Sequence, residues 1–108
     1  MTVSPLSESH SLQNGVLTLQ MDGPVDMTTV PQIRKTILDL LQKKRVQEVH
    51  LDLSRVTVLD TSGVAMLVEI RRALSRRRAA LQLTGLSEKT RRLIQLARLE
   101  QVFDIGSD

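Results

Sequence analysis

The order of hydrophobic and polar residues near the N-terminus predicts a β-hairpin. Asn14-Gly15 is a strong turn signal, because both residues accept a positive φ. After this turn Leu17, Leu19 and Met21 alternate with polar residues, and such alternation is typical of a strand that is buried on one face. We therefore expect a half-buried strand here, paired with a short strand around residues 11–13.

From Val30 the apolar residues recur at intervals of three and four, which predicts a helix over residues 29–44. Thr29 and Gln32 have the spacing of a capping box, and Pro31 is tolerated in the first turn of a helix. The predicted inward stripe consists of Val30, Ile33, Ile37, Leu40 and Leu41.

The middle of the chain returns to alternation and then to helical spacing. Val49, Leu51 and Leu53 alternate with polar residues, and further strand material follows a short predicted break at Ser54-Arg55 and ends at Asp60. A second helix is predicted over residues 62–77 with its basic residues outward. Its apolar stripe consists of Gly63, Leu67, Ile70 and Leu74.

The C-terminal part predicts one more strand, a third helix and a last short strand. Leu81 and Leu83 share one face of the strand, and Ser87 can cap the helix. Leu93, Leu96 and Ala97 are the predicted inward residues of that helix, and residues 101–105 form the last strand. This order predicts an α/β fold in which helices follow the strands of a mixed sheet through right-handed crossovers.

Composition limits the classes of protein that this chain can represent. Its 108 residues, with 41% apolar and 25% charged residues, fit one folded domain over residues 12–105 after a flexible tail at residues 1–11. The absence of cysteine excludes disulfides and thiolate zinc sites, and no signal peptide or membrane span is recognisable. The expected location is therefore the cytoplasm, without insertion into a membrane.

The net charge of +3 arises largely from basic clusters at residues 71–78 and 89–92, both within predicted helices. Phe103 is the only aromatic residue, so the chain offers almost nothing on which a nucleic-acid base could stack. We interpret the clusters as outward helix faces and expect no direct binding of nucleic acid. An acidic protein partner or an anionic membrane surface fits the same charges.

Residues 60–63, Asp-Thr-Ser-Gly, stand between a predicted strand and a predicted helix. A side-chain oxygen at such a junction can accept a hydrogen bond from one of the free N–H groups of the first helical turn. The same N–H groups and the positive end of the helix dipole favour a phosphate on a nearby hydroxyl. The stretch is therefore either a helix cap alone or a cap that also carries a phosphorylation site.

These residues resemble the STAS domain, the fold of bacterial anti-sigma factor antagonists. The resemblance rests on "DGPVD" at 22–26, "LDTSG" at 59–63, the pattern of the terminal helix and the order of elements, and it covers about residues 12–105. It implies an α/β fold with a mixed sheet of four to five strands packed against three to four helices.

The resemblance also implies a function by partner switching. An antagonist of this kind binds an anti-sigma factor that is a serine/threonine kinase, frees a sigma factor, and is inactivated when the kinase phosphorylates it; a PP2C-type phosphatase reverses the change. By position the acceptor is Thr61, with Ser62 as the alternative. The implied partner-binding residues are Gly23, Asp26, Asp60, Thr61, Ser62 and Gly63. Met66 is added to this set because it lies next to the docking edge, although the methionines as a group fit core filler better than a recognition stripe.

Two other functions stay open at this stage. Threonine at the acceptor position is also typical of the STAS subunit that binds the ATPase of a phospholipid-transport ABC system. A receiver domain would use Asp52 as phosphoacceptor, with Asp22 and Asp26 as the available magnesium ligands. An enzyme is not expected, because His10 and His50 form no catalytic triad with a serine and an aspartate, and no metal or other cofactor is expected.

Overall fold

The structure, a computed structural model, describes residues 11–99 and 103–105. The predicted tail lies outside the described residues except for Ser11, which belongs to the first strand. The elements in chain order are β1 (Ser11–Gln13), β2 (Val16–Val25), α1 (Val30–Lys43), β3 (Glu48–Leu59), α2 (Thr61–Arg76), β4 (Ala80–Thr84), α3 (Glu88–Leu96) and β5 (Asp104–Ile105).

The predicted hairpin is confirmed. Asn14 and Gly15 both have positive φ, 54° and 81°, as a type I′ turn between two strands requires. The turn brings Gln13 opposite Val16, and β1 pairs antiparallel with β2.

Within residues 11–99 and 103–105 the sheet contains five strands in the order β1-β2-β3-β4-β5, and every pair after the hairpin is parallel. Because β2 to β5 are added one after another in the same direction, right-handed crossovers place α1, α2 and α3 on the same side of the sheet. The burial of the strands agrees with this arrangement, since only one set of alternate residues in β2, β3 and β4 is buried. The predicted α/β class with a mixed sheet is confirmed.

The opposite side of the sheet, which we call the open face, carries polar side chains. Thr18, His50 and Gln82 form one row across β2, β3 and β4, and Gln20, Asp52 and Thr84 form the next. None of the six is buried.

The core lies between the sheet and the helices. Full burial of one aliphatic side chain stabilises a fold by about 1.5–3 kcal/mol, so the apolar stripes of the helices fix their position on the sheet. The buried residues of α1 and α2 are Ile33, Ile37, Leu41, Gly63, Val64, Met66, Leu67, Ile70 and Leu74. From the strands the core receives Leu17, Leu19, Met21, Val25, Val49, Leu51, Leu53, Leu81 and Leu83.

The predicted break at Ser54-Arg55 is wrong, because β3 continues to Leu59. The pairing with β2 is irregular at this point instead: Gln20 lies opposite Asp52, whereas Asp22 lies opposite Arg55. One extra residue on β3 is a bulge, which leaves the strand intact while it changes the register.

The predicted inward stripe of α3 is wrong in part. Ile94 is the buried residue of this helix, whereas Leu93 is half-buried. Leu96 is 76% exposed, and Ala97 is exposed as well. Ile94 belongs to the core, and the half-buried Leu99 packs against the same core. Because the face of α3 that carries Ile94 is the buried one, Leu93 and Ala97 lie beside α2 and Leu96 lies in solvent. Ser87 caps α3 as predicted, with its Oγ accepting a hydrogen bond from the Thr90 N–H at 3.1 Å.

The outward surfaces of the helices are polar, and basic residues are exposed at the C-terminal end of α2, as predicted. Within the part of the chain that the structure describes, no helix has the length and apolar character that a membrane crossing requires.

Candidate functional site

Two aspartates meet at the carboxyl edge of the sheet. Asp26 follows the last residue of β2, Val25, and Asp60 follows the last residue of β3, Leu59. Val25 and Leu59 are opposite each other in the parallel register, and the Asp60 N–H donates to the Val25 carbonyl oxygen at 3.3 Å. The loops that begin at these two aspartates are therefore neighbours.

Asp60 is the N-cap of α2. Its Oδ1 accepts hydrogen bonds from the Ser62 N–H at 3.0 Å, the Gly63 N–H at 3.1 Å and the Ser62 hydroxyl at 2.5 Å. The hydroxyl of Ser62 and the N–H of Gly63 are the main causes that lower the pKa of Asp60, and the nearby charge of Asp26 opposes them. The carboxyl group is therefore ionised at neutral pH, and the predicted cap is confirmed.

Gly63 allows α2 to begin directly against the sheet. A Cβ at this position would lie 3.0 Å from Val25 Cγ1, 3.0 Å from the Val25 carbonyl oxygen and 3.1 Å from Leu59 Cγ. These separations are shorter than ordinary van der Waals contact, so a larger residue would force the helix away from the two strand ends.

Thr61 and Ser62 differ in what their hydroxyl groups do. Thr61 is the first residue of α2, its side chain is exposed, and its hydroxyl has no hydrogen-bond partner among the residues that the structure describes. Ser62 is half-buried, and its hydroxyl donates to Asp60. Of the two predicted acceptors, Thr61 is the one with an accessible and uncommitted hydroxyl.

The loop before α1 is built like the cap of α2 but does not form the predicted capping box. Asp26 Oδ1 accepts from the Thr28 N–H at 2.9 Å, the Thr28 hydroxyl at 2.7 Å and the Thr29 N–H at 3.3 Å. These bonds to Thr28, chiefly the one from its hydroxyl, lower the pKa of Asp26.

Thr29 makes no side-chain cap bond to α1, so the predicted pairing with Gln32 is wrong. Its hydroxyl donates to the Pro24 carbonyl oxygen at 3.0 Å and accepts from the Asp26 N–H at 3.0 Å. These two hydrogen bonds join the two ends of the turn, so the Thr29 hydroxyl does not cap α1.

Two further predicted residues have different places in the structure. Gly23 lies within β2 at φ +80°, opposite Val56 and just before a register shift in the pairing with β3. Met66 is 2% exposed and belongs to the core beneath α2. The prediction that Met66 contacts a partner is therefore corrected: the helical spacing that places it near Thr61 in sequence turns its side chain inward.

Two exposed apolar features lie near this edge of the sheet. A hollow of about 260 Å³, which we call the α2–α3 hollow, opens between α2 and α3 and has Thr61 in its lining. In the neighbouring turn after β2, Met27, directly after Asp26, is 76% exposed. The hollow is lined by Thr61, Val64, Ala65, Val68, Leu93, Ala97 and Leu99.

Sequence reasoning missed both apolar features. Met27 could have been noticed as a large apolar residue in an otherwise polar turn. Leu93 and Ala97 were predicted to face the core, and their contribution to the hollow becomes visible only when the direction of α3 is known.

The acidic residues considered for a receiver site are not assembled as one. Asp52 Oδ1 accepts from the Ser54 N–H at 2.9 Å and its Oδ2 from Gln20 Nε2 at 3.2 Å. These bonds, the Ser54 N–H foremost, lower the pKa of Asp52. Residues 11–99 and 103–105 contain no group of three or more acidic, histidine or cysteine side chains that could hold a metal ion.

The histidines do not complete a catalytic group either. His50 is on the open face, where its Nε2 lies 3.2 Å from Glu48 Oε1, and Ser62 is on the side of the helices with its hydroxyl bonded to Asp60. His10 lies outside the described residues.

The comparison with protein families decides between the folds that share this general layering. The STAS domain model matches residues 11–108. The chain belongs to the STAS domain family. The match spans all strands and helices from β1 to β5, and it contradicts the alternative of a receiver domain.

Individual relatives and solved structures agree with this assignment. The STAS chain is 29% identical over 83 residues to the anti-sigma-B factor antagonist of Listeria monocytogenes, covering 77% of this chain and 72% of that protein. The corresponding protein of Staphylococcus epidermidis is 25% identical over 88 residues, covering 82% and 81%.

Among solved structures, an anti-sigma factor antagonist from Mycobacterium paratuberculosis has a TM-score of 0.79 at 22% identity, covering 96% of this chain and 87% of the other. The Bacillus cell fate determinant SpoIIAA in its phosphorylated form has a TM-score of 0.71 at 20% identity, covering 93% and 91%. At this identity the structural likeness establishes the fold. The sequence relatives include the two anti-sigma-B factor antagonists and also sulfate transporter 3.1 of Arabidopsis thaliana, which is 30% identical over 81 residues, covering 66% of this chain and 12% of that protein.

Proposed function

We propose that this protein is a cytoplasmic anti-sigma factor antagonist that is controlled by phosphorylation of Thr61. In its unphosphorylated form it would bind an anti-sigma factor with serine/threonine kinase activity and free a sigma factor. A PP2C-type phosphatase would restore binding after phosphorylation. The observation that carries the proposal is the free, exposed hydroxyl of Thr61 at the first position of a capped helix, beside the ionised Asp60.

The position favours a phosphate that leaves the fold intact. The Thr61 hydroxyl lies at the N-terminus of α2, where the helix dipole stabilises negative charge. Because the side chain is exposed and hydrogen-bonded to no described residue, a phosphate on it displaces no contact. The domain should therefore stay folded in both states.

The same phosphate would oppose docking. It adds a charge of about −1.5 to −2 at neutral pH, and Thr61 is one of the residues that line the apolar α2–α3 hollow. Two carboxylates already lie at this edge, those of Asp60 and Asp26. A partner that covers the hollow would have to desolvate the added charge next to existing charges of the same sign.

The proposed docking surface consists of Thr61, Met27 and the α2–α3 hollow. Met27 and the hollow supply apolar area, which is the usual centre of a protein interface. Asp26, Asp60 and Gly63 keep this surface in position. The two aspartates accept the hydrogen bonds that stabilise the turns, and Gly63 allows α2 to approach the sheet closely. Gly23, within β2, would act through the strand rather than by contact with the partner.

The site assignment can be tested with the kinase encoded nearest to this protein in its genome. The kinase, ATP and the purified protein are incubated, and phosphopeptides are mapped by mass spectrometry. We expect phosphate on Thr61, no labelling of Thr61→Ala, and labelling of Ser62→Ala at Thr61. Phosphate on Ser62 in the unaltered protein would contradict the assignment.

The switch is tested by binding of the same kinase to Thr61→Glu and to Thr61→Val. Glutamate introduces charge, and valine keeps the shape of threonine, so Thr61→Val is the matched control. We expect Thr61→Glu to bind at least about tenfold more weakly and Thr61→Val to bind within about twofold of the unaltered protein. Equal binding by the Glu and Val variants would show that charge at this position is not the switch.

Affinity purification from the native cell separates this function from the alternative of a transporter subunit. We expect an anti-sigma factor kinase among the captured proteins and its loss with Thr61→Glu. Capture of the ATPase of a phospholipid-transport ABC system, without such a kinase, would assign the protein to the transporter instead.

A further inference from the structure

A second groove lies along the other side of α2, between α2 and α1. It has a volume of about 690 Å³, and its apolar lining consists of Leu38 from α1 and of Ala65, Val68 and Ala73 from α2. We call it the α1–α2 groove. Small side chains on α2 create it, since alanine at positions 65 and 73 leaves open space beside Leu38.

Side chains bridge the two helices at two places along the α1–α2 groove. Arg34, in the second turn of α1, has its Nη1 3.3 Å from Oε1 of Glu69, in the middle of α2. Toward the C-terminal ends, Arg77 donates to the carbonyl oxygens of Leu41 and Lys44, which also satisfies carbonyl groups at the end of α1. The buried faces of α1 and α2 pack in one core and hold the helices side by side, while the half-exposed Arg34–Glu69 pair adds little to this. The groove between them therefore exists before any partner binds.

The rim of the groove is positively charged. Arg72 and Arg76 line it, both are exposed, and neither forms an ion pair with a residue that the structure describes. Glu69, the acidic residue on the same wall, is already paired with Arg34. An apolar floor beside two unpaired guanidinium groups is complementary to a ligand that carries both aliphatic side chains and carboxylates.

We propose that the α1–α2 groove is a docking site for an acidic amphipathic helix of a protein partner. Aliphatic residues on one face of that helix fill the groove between Leu38 and Ala73, and glutamate or aspartate residues beside them pair with Arg72 and Arg76. Docking of an amphipathic helix into an apolar groove is a recurrent mode of recognition, and guanidinium groups bind carboxylates through paired hydrogen bonds.

The shape of the site favours a helix over a lipid surface. A membrane presents a flat layer of headgroups, which would contact Arg72 and Arg76 but would leave the groove between the two helices unfilled. The α1–α2 groove adjoins the α2–α3 hollow, because Ala65 and Val68 line both. One partner could therefore occupy both sides of α2, but helix docking in the groove requires neither phosphorylation of Thr61 nor a kinase.

The proposal is tested with a designed peptide of about four helical turns. It carries leucines at helical spacing on one face and glutamates on both borders of that face; a control peptide carries lysine in place of each glutamate. Binding to the isotope-labelled protein is followed by amide chemical-shift changes and by titration. We expect shifts around Leu38 and along residues 65–76, and none on the open face.

Charge reversal on the rim gives the decisive comparison. The double variant Arg72→Glu, Arg76→Glu should weaken binding of the acidic peptide by at least about tenfold, and Arg72→Gln, Arg76→Gln by a smaller factor. The matched control is the double variant Lys89→Glu, Arg92→Glu, which makes the same change of net charge at exposed positions of α3 that do not line the groove and should alter affinity by less than about twofold. Thermal unfolding of each variant establishes that it is folded.

Four outcomes would overturn the proposal: no binding of the acidic peptide, equal binding of the lysine peptide, equal weakening by the variant Lys89→Glu, Arg92→Glu, or, in a parallel sedimentation assay, binding only to phosphatidylglycerol vesicles. The proposed function has a separate test, since kinase binding that depends on Thr61 with no peptide binding would remove the groove proposal alone. Peptide binding that is unchanged in Thr61→Glu would support docking in the groove independently of the switch.

Discussion

The turns that follow β2 and β3 are built alike but lead to different structures. In each, an aspartate accepts hydrogen bonds from the N–H groups two and three residues later and from the hydroxyl two residues later; the donors are Thr28 and Thr29 in one turn and Ser62 and Gly63 in the other. The turn at Asp60 continues directly into α2, whereas α1 begins four residues after Asp26.

The residue that directly follows the aspartate is exposed in both turns. It is Met27 in the first turn and Thr61 in the second. An apolar side chain and a hydroxyl are thus presented side by side by equivalent turns on adjacent strands. The comparison indicates that the aspartates and the next hydroxyls are scaffold, and that the intervening position is available for contact with a partner.

The largest difference between the turns is the third residue after the aspartate, which is Thr29 in one and Gly63 in the other. We expect Gly63→Val to lower the free energy of unfolding by about 1–3 kcal/mol, because its Cβ would meet Val25 and Leu59 at 3.0–3.1 Å. Urea unfolding measures the change. Ala65→Val, which places the same residue at an exposed position of α2, should cost about 0.5 kcal/mol; equal costs would contradict the close approach.

The next effect concerns the exposed residue of the first turn. Met27→Glu should weaken binding of the proposed kinase partner by about tenfold, because Met27 would lose its apolar contact and add charge beside Asp26. Surface plasmon resonance with the kinase measures this. Leu12→Glu changes another exposed apolar residue, on β1 beside the opposite end of β2, and should leave binding unchanged.

A smaller effect separates the two scaffold hydroxyls. Ser62→Ala removes a part-buried hydroxyl that is 2.5 Å from the Asp60 carboxylate, whereas Thr28→Val removes an exposed one that is 2.7 Å from Asp26. We expect the first change to lower Tm by about 4 °C and the second to lower it less, as scanning calorimetry would measure. The reverse order would show that the first turn, and not the start of α2, is the stability-determining one.

The smallest expected effect is the dependence of stability on pH. The pKa values of Asp60 and Asp26 are lowered in the folded protein, mainly by their hydroxyl partners Ser62 and Thr28. Their contribution is therefore complete above the unfolded aspartate pKa of about 3.9, and it is lost as the pH falls through the lower pKa of the folded state.

Acid unfolding curves of the unaltered protein and of Asp60→Asn and Asp26→Asn measure this contribution. Each variant should lose less stability on acidification than the unaltered protein, since one titrating group is absent. An identical acid dependence in all three proteins would contradict the assignment of the stabilising bonds to the ionised carboxylates.

The sequence was sufficient for the fold because periodicity and turn chemistry agree along most of the chain. Asn14-Gly15 defined a hairpin, alternating residues defined the buried face of β2, and Asp60 before an apolar helix defined a cap, each through local chemistry. The wrong predictions concern positions at which tertiary contacts, and not the local sequence, determine the structure. Ile94, and not Leu93 or Leu96, is the buried residue of α3, and a bulge in β3 replaces the predicted break.

The candidate site was predictable in position but not in detail. Residues 60–63 were recognisable from their place between a strand and a helix, but the different states of the Thr61 and Ser62 hydroxyls depend on the Asp60 rotamer. Thr29 had the spacing of a cap, yet its hydroxyl bonds to Pro24 because the turn closes on itself. Met66 was misassigned, since nearness in sequence to Thr61 does not indicate which way a helical side chain points.

The one-sided layering of the helices has a practical consequence for measuring the proposed switch. The chain contains no cysteine, and Thr18 is an exposed residue on the open face, away from α1, α2 and α3. A Thr18→Cys variant would therefore accept a single fluorophore on the side of the sheet opposite both helix grooves. Such a labelled domain would report complex formation by fluorescence anisotropy in real time while the proposed kinase and phosphatase act on the other side.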